Sequence, residues 1–278
     1  MSVLNMVRLV LNTRPVVRLL PRRYADVAVD EGGLLHAGLA NLFATSSEHA
    51  TVPIQPFAID DRTTEARRDP EHIFLLGYSA FDEAELEARM GPRRSELVAE
   101  VATRGMHSFP AGTRLEFRTR VCPTVRSKRS HPSEVQRQKA YELDVWLAER
   151  FAEWEPQKPA LWDSTRPFDV HSDRERSYGE WLRRELLGVT VTGEPRPHRM
   201  RAAELEGAVR LIEFRQDPFH RSPTKHARDG GKGPKRPNAV LEGTLRVTDS
   251  DAFTSLLARG IGRHRAYGFG MLLVRRAV

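Results

Sequence analysis

The order in which strand-like and helix-like runs follow one another is the strongest constraint this chain places on its own fold. Leu4–Asn12, LNMVRLVLN, is a short apolar, β-branched run that stops just before Pro15, the pattern of a buried strand. In DEGGLLHAGLANLFA acids open the segment and apolar residues recur at 34/35, 39 and 42/43, a 3.6-residue period that predicts a helix. VPIQPFAI and HIFLLGYSAF are strand-like, and DEAELEARMGPRRSELVAEVA reads as a helix broken at Gly91-Pro92. This first stretch is therefore β-α-β-β-α.

The cycle restarts around Gly112. TRLEFRTRVCPTV sets Leu115, Phe117 and Val121 among alternating arginines, as a strand with one wet, basic face would. EVQRQKAYELDVWLAERFAEW puts Tyr141, Val145, Ala148 and Phe151 at helical spacing and is expected to be the longest helix. A Pro-rich connector, EPQKPALWDSTRPF, ends it, and a shorter amphipathic stretch around YGEWLRRELLG follows. VTVTGEPRPHRMRA, AVRLIEFRQD and AVLEGTLRVT are three expected strands. DSDAFTSLLARG opens on an Asp/Ser cap and stops at Gly260, and GMLLVRR is the closing strand. Two β-α-β-β-α-β cycles end to end predict an α+β chain of two tandem ferredoxin-like (RRM-like) domains, each a four-stranded antiparallel sheet with helices on one face. The expected division is residues 1–95 and 110–278, with the junction near 92–112.

Composition is consistent with a folded chain and adds a partner class. With 278 residues, 40% hydrophobic and 29% charged, the chain can bury a real core. Lys plus Arg number 44 against 37 for Asp plus Glu, so the net charge of +7 favours a polyanionic partner. A single cysteine, Cys122, rules out an internal disulfide and any multi-cysteine metal cluster, and suits a reducing cytoplasm. Arg8, Asn12, Arg14 and Arg18 interrupt the apolar opening, so neither a secretory signal nor a membrane span is expected there.

Two basic runs, RTRVCPTVRSKRSHPSEVQRQK and HRSPTKHARDGGKGPKRP, are either solvated surface or phosphate contacts. The loop GIGRHRAYGFG has sharper mechanics: a glycine-rich turn can aim successive amides at a phosphate while Arg263, His264 and Arg265 supply charge, although a purely structural turn is nearly as good a reading. It is not a dinucleotide fingerprint, because it ends a helix and opens a strand rather than the reverse. The chain has no His-Glu-x-x-His, no Walker loop and no serine-hydrolase elbow, so no metal or cofactor is expected. His36, near the start of the first helix, is either a packing histidine or a proton carrier.

GGLLHAGLANLF, RLEFRTRVCPTVRSKR and VLEGTLRVTDSDAFTSLLARGIGRHRAYGFGMLLV, in that order, resemble the CasE-type CRISPR repeat-RNA endoribonucleases, the processing subunit of type I-E Cascade. The resemblance runs end to end and is weakest over 45–110 and 155–235. It implies tandem ferredoxin-like domains and a CRISPR repeat stem-loop as substrate. It also implies metal-independent cleavage at the 3′ base of the stem, by attack of a 2′-hydroxyl to leave a 2′,3′-cyclic phosphate and a 5′-hydroxyl. The product would stay bound in a Cascade-like assembly with other subunits.

The same resemblance makes His36 the catalytic histidine. Many relatives carry a tyrosine one turn earlier, where this chain has Gly33; Tyr24, or a lysine or arginine from a basic loop, would have to substitute. Gly260, Gly262, Gly268 and Gly270 match the family's glycine-rich loop, with Arg263, His264, Arg265 and Tyr267 as contacts, and Arg114, Arg118, Arg120, Arg126, Lys128 and Arg129 suit the stem's phosphates. A non-catalytic RNA-binding subunit capping a CRISPR ribonucleoprotein is the alternative.

Overall fold

The computed structural model describes residues 4–19, 31–43, 52–60, 69–127, 141–154, 170–218 and 235–277. Among them no helix is long and apolar enough to cross a membrane.

In the first half, β1 (Asn5–Asn12) is the centre of a sheet because its alternate residues Val7, Leu9 and Leu11 are all apolar and buried. It runs antiparallel to β3 (His72–Ser79) and β4 (Val98–Gly105), and β2 (Phe57–Ile59) pairs with the far side of β3, giving the order β2-β3-β1-β4. Two helices pack on the buried face. These are α1 (Thr13–Arg18), through Val16, and α2 (Glu31–Leu42), through Leu34, Leu35, Leu39 and Leu42. Farther along, α3 (Glu83–Arg89) starts from a capping box of Asp82 and Glu85, and α4 (Arg94–Leu97) is one short turn.

SELVAEVA departs from expectation here. Instead of prolonging a helix, the chain becomes strand at Val98, because Val98 and Val101 can then reach the core while Glu100 meets Arg8 of β1 at 2.8 Å. The first sheet therefore extends to Gly105, beyond the expected division at residue 95.

The second half repeats the plan. Its strands β5 (Arg114–Val121), β8 (Ala203–Pro218), β9 (Lys235–Val247) and β10 (Leu272–Arg276) form an antiparallel sheet ordered β10-β5-β9-β8. Numbered within each half, both sheets read second-third-first-fourth, the ferredoxin-like order. Residues β6 (Thr124–Ser127) and β7 (Tyr141–Asp144) form a separate two-stranded sheet.

The helices of this half are α5 (Val145–Trp154), α6 (Val170–Leu187) and α7 (Ser250–Arg259), the last capped by the Asp249 side chain accepting from the Ala252 amide at 2.7 Å. Two expectations are corrected. The longest of these helices is α6, of 18 residues, while residues 141–144 of the run expected to be longest are strand. Residues 189–202 are not a strand but turns joined by one isolated bridge, Val189 to Pro195, because Gly193 at φ 85° reverses the chain.

The two halves share a core at their seam. Leu4, Ala58, Leu76 and Tyr78 of the first half lie in the same apolar cluster as Trp181, Phe253, Leu256 and Met271 of the second. There the buried Tyr78 hydroxyl donates to the Leu272 carbonyl at 2.7 Å.

Candidate active site at the seam of the two halves

After α7 the chain folds back through a 3-10 turn, Arg265–Tyr267, into β10. The glycines of this stretch have positive φ, and packing explains why nothing else fits. A Cβ on Gly270, at φ 83°, would stand 2.2 Å from the Ile261 carbonyl oxygen, and one on Gly262 would stand 2.8 Å from the Trp181 ring. Two amides expected to face a phosphate are already engaged: Gly260 donates to the Leu256 carbonyl at 2.7 Å and Gly270 to the Arg120 carbonyl at 2.7 Å. For these two glycines the expected amide role is corrected; they close the loop on itself and on β5.

The folded loop delivers Tyr267 to His36. With Leu35 and Leu39 of α2 held in the core, His36 projects to the helix flank, and its ring lies 4.7 Å from that of Tyr267 at a tilt of 33°. Gly32, one turn earlier, makes the approach possible, since a Cβ there would stand 2.4 Å from the Tyr267 carbonyl oxygen. His36 is half-buried, and its Nδ1 has no hydrogen-bond partner among the described residues. Burial lowers its pKa below the ordinary 6.5, partly opposed by the Ala266 backbone. Burial thus favours the neutral imidazole, whose unpaired Nδ1 is enclosed by the protein.

Behind the turn lies a charge cluster. Glu142 of β7 binds Arg236 of β9 at 3.2 Å, Arg263 at 2.8 Å and His264 Nε2 at 2.9 Å, and both Glu142 and His264 are nearly sealed from solvent. Burial alone would raise the Glu142 pKa, but the His264 hydrogen bond and the charges of His264, Arg236 and Arg263 bring it down to about 2. His264 in turn meets Tyr267 edge-on, ring centres 6.4 Å apart. A chain of contacts thus runs from the small sheet through the turn to His36.

Arg120 belongs to the same place. Its guanidinium bonds Asn238 at 2.9 Å, approaches Glu31 at the start of α2 to 3.6 Å, and sits 5.0 Å from the Phe269 ring centre. A cleft of about 250 Å³ between the halves is lined by Glu31, Ala58, Arg118, Arg120, Arg215 and Met271. Arg114 and Arg118 lie on the open sheet face and are each paired with a carboxylate, Glu206 and Glu242, at 2.6 Å. Arg126 is exposed, and Arg265 is exposed with its guanidinium on the Arg259 carbonyl. Tyr24, Lys128 and Arg129 lie outside the described residues.

Among the described residues no three His, Cys, Asp or Glu side chains are grouped to hold a metal ion. Cys122 is no nucleophile, because burial pushes its thiol up to about 12. Sequence reasoning missed Glu142, which fell inside an expected helix, and the stacking of Tyr267 on His36. The only signal for either was the density of cations around Arg263.

Two ferredoxin-like halves docked along a basic, histidine-bearing seam define the class of fold. The chain belongs to the family described as "CRISPR associated protein", whose model matches residues 6–276. No curated protein is similar enough in sequence to match.

Solved structures with this fold include the CRISPR endoribonuclease Cse3 bound to a 19 nt RNA, at 18% identity and TM-score 0.56, with 98% of this chain and 99% of that one covered. Thermus thermophilus Cse3, bound to an RNA representing a pre-cleavage complex, gives 17% and 0.54, with 98% and 99% covered. The CRISPR-associated protein Cas6e from Escherichia coli str. K-12 gives 19% and 0.51, with 98% and 100% covered. The expected resemblance and the expected fold are both borne out.

Proposed function

We propose that this protein is a metal-independent endoribonuclease that binds a CRISPR repeat stem-loop and cleaves it once, then stays with its product as a subunit of a CRISPR ribonucleoprotein. The observation that carries the reading is the contact between His36 and Tyr267 at the seam. A packing histidine would lie wholly within one core, whereas this one is only partly buried, has an enclosed Nδ1 with no hydrogen-bond partner among the described residues, and is walled by a basic turn from the other half of the chain.

The nucleophile in this chemistry is the RNA's own 2′-hydroxyl. Its oxygen attacks the adjacent phosphorus, the 2′ proton leaves, and the bond to the 5′ oxygen breaks as that oxygen gains a proton. The products are a 2′,3′-cyclic phosphate and a 5′-hydroxyl. The protein supplies orientation, proton transfer and charge stabilisation. With burial favouring its neutral form, His36 suits the base that accepts the 2′ proton, a role worth about 10²–10⁴ in rate. Tyr267 fixes the ring plane, and the arginines of the seam face the phosphate.

The neighbours of this fold that were solved with RNA bound support the substrate class. The decisive experiment incubates a repeat-hairpin RNA with the protein in EDTA, with His36→Ala in parallel, and identifies the termini. Cleavage by the parent alone, ending in cyclic phosphate, is expected. An inactive parent would favour a purely binding subunit, and equal cleavage by both proteins would remove His36 from its role.

A further inference from the structure

A second cationic site stands on the other side of the same turn. Arg196 and Arg199 both donate to Glu185 of α6, Arg199 at 2.5 Å. Arg265 of the 3-10 turn donates to the backbone carbonyl of Arg259, the last residue of α7. These groups converge on Arg259: Arg199, Arg196 and Arg265 each disfavour its charge, and Glu185 is the carboxylate that supports it.

Arg196 and Arg199 thus occupy the carboxylate of Glu185 between them. Neither Arg259 nor Arg265 forms an ion pair with a described carboxylate, and Arg259 Nη1 is buried without a hydrogen-bond partner among the described residues. A buried cationic donor left unpaired is costly, so a structure that builds one needs an anion to complete it.

The scaffold is fixed rather than loose. Arg196 N donates to the Gly188 carbonyl at 2.8 Å and Ala202 N to the Leu186 carbonyl at 3.0 Å, which pins residues 188–202 to the end of α6. Gly188, at φ 69°, leaves room for the Arg199 Cβ, 3.1 Å from where its own Cβ would be. Guanidinium forks match phosphate oxygens in pairs, and several forks around one centre fit a phosphate better than a planar carboxylate.

We propose that Arg196, Arg199, Arg259 and Arg265, gathered around Glu185, form a second anion site that takes a backbone phosphate of the single-stranded RNA flanking the stem. The identity of the ligand rests on the endoribonuclease reading; the existence of the anion site does not. Continuity favours RNA, since Arg265 belongs to the same three-residue turn as Tyr267, whose ring faces His36.

Two measurements on the parent and on Arg265→Gln, a change at an exposed position, test it. Melting in inorganic phosphate against chloride at matched ionic strength reads the anion site without RNA. Salt titrations of a hairpin with and without a single-stranded flank read the ligand. The expected result is a phosphate-dependent rise in melting temperature that shrinks in Arg265→Gln. For the flanked hairpin, the slope of log K against log salt should become shallower by about 0.7, with little change for the blunt one.

Equal stabilisation of both proteins by phosphate, or equal slopes for the flanked RNA, overturns the proposal. A parent that binds no hairpin yet gains Arg265-dependent stability in phosphate would sink the endoribonuclease reading and support the anion site.

Discussion

Replacing Glu142 by Gln keeps the shape of the side chain and removes its charge, leaving Arg236, Arg263 and His264 gathered around a neutral amide. The cost can be worked from titration. The Glu142 carboxyl falls from an ordinary 4.5 to about 2 in the folded chain. At about 1.36 kcal/mol per pKa unit, this shift corresponds to roughly 3 kcal/mol of stability at neutral pH. Because the folded value is the depressed one, that stability is complete above about pH 5. It drains away as the pH falls from 4.5 toward 2, where the carboxyl protonates in the folded chain too.

Urea denaturation of parent and Glu142→Gln should therefore show a gap of roughly 3 kcal/mol near neutral pH, narrowing by about 1.4 kcal/mol between about pH 5.5 and 3.5. A gap that stays constant over that range would mean that Glu142 is not ionised against the cluster, and the account of how the turn is held would fail.

Two further outcomes concern the reaction itself. Gly32→Ala puts a methyl group where the Tyr267 carbonyl oxygen lies 2.4 Å away, so the turn must retreat by about 1 Å. Single-turnover cleavage should drop about 100-fold with RNA affinity nearly unchanged, and parental rates would show that the contact is dispensable. Since the His36 pKa is below 6.5 in the folded chain, a base role predicts a cleavage rate that holds level down to that value and declines only at lower pH. A rate that instead declines on the alkaline side, and does so only when His36 is present, would make it the acid. The unfolded chain binds the His36 proton first, so the parent should also lose stability relative to His36→Gln as the pH falls below about 6.5.

The order of strands and helices was legible because most core strands carry their pattern locally. Val7, Leu9 and Leu11 in β1, or Leu115, Phe117 and Val121 in β5, alternate plainly. SELVAEVA was misleading for a physical reason: Glu and Ala favour helix, and only the pairing with β1, a partner far away in sequence, makes the strand win. Helix α6 was underestimated because its buried stripe includes Arg174, Ser177 and Glu185, polar residues that find tertiary partners in Asp144, Glu149 and Arg196. The site followed the same division. His36 and the glycine-rich turn stood out in the chain, but their meeting, and the hold of Glu142 on the turn, exist only after the two halves dock.

The seam has a consequence for biosynthesis. The imidazole comes from the half made first and its aromatic wall from the half made second, so a nascent chain in which only the first sheet has folded holds a histidine with no chamber around it. On the proposed reading, a chain that stops before the Arg265–Tyr267 turn lacks that wall, and competence arrives only when the second sheet closes on the first.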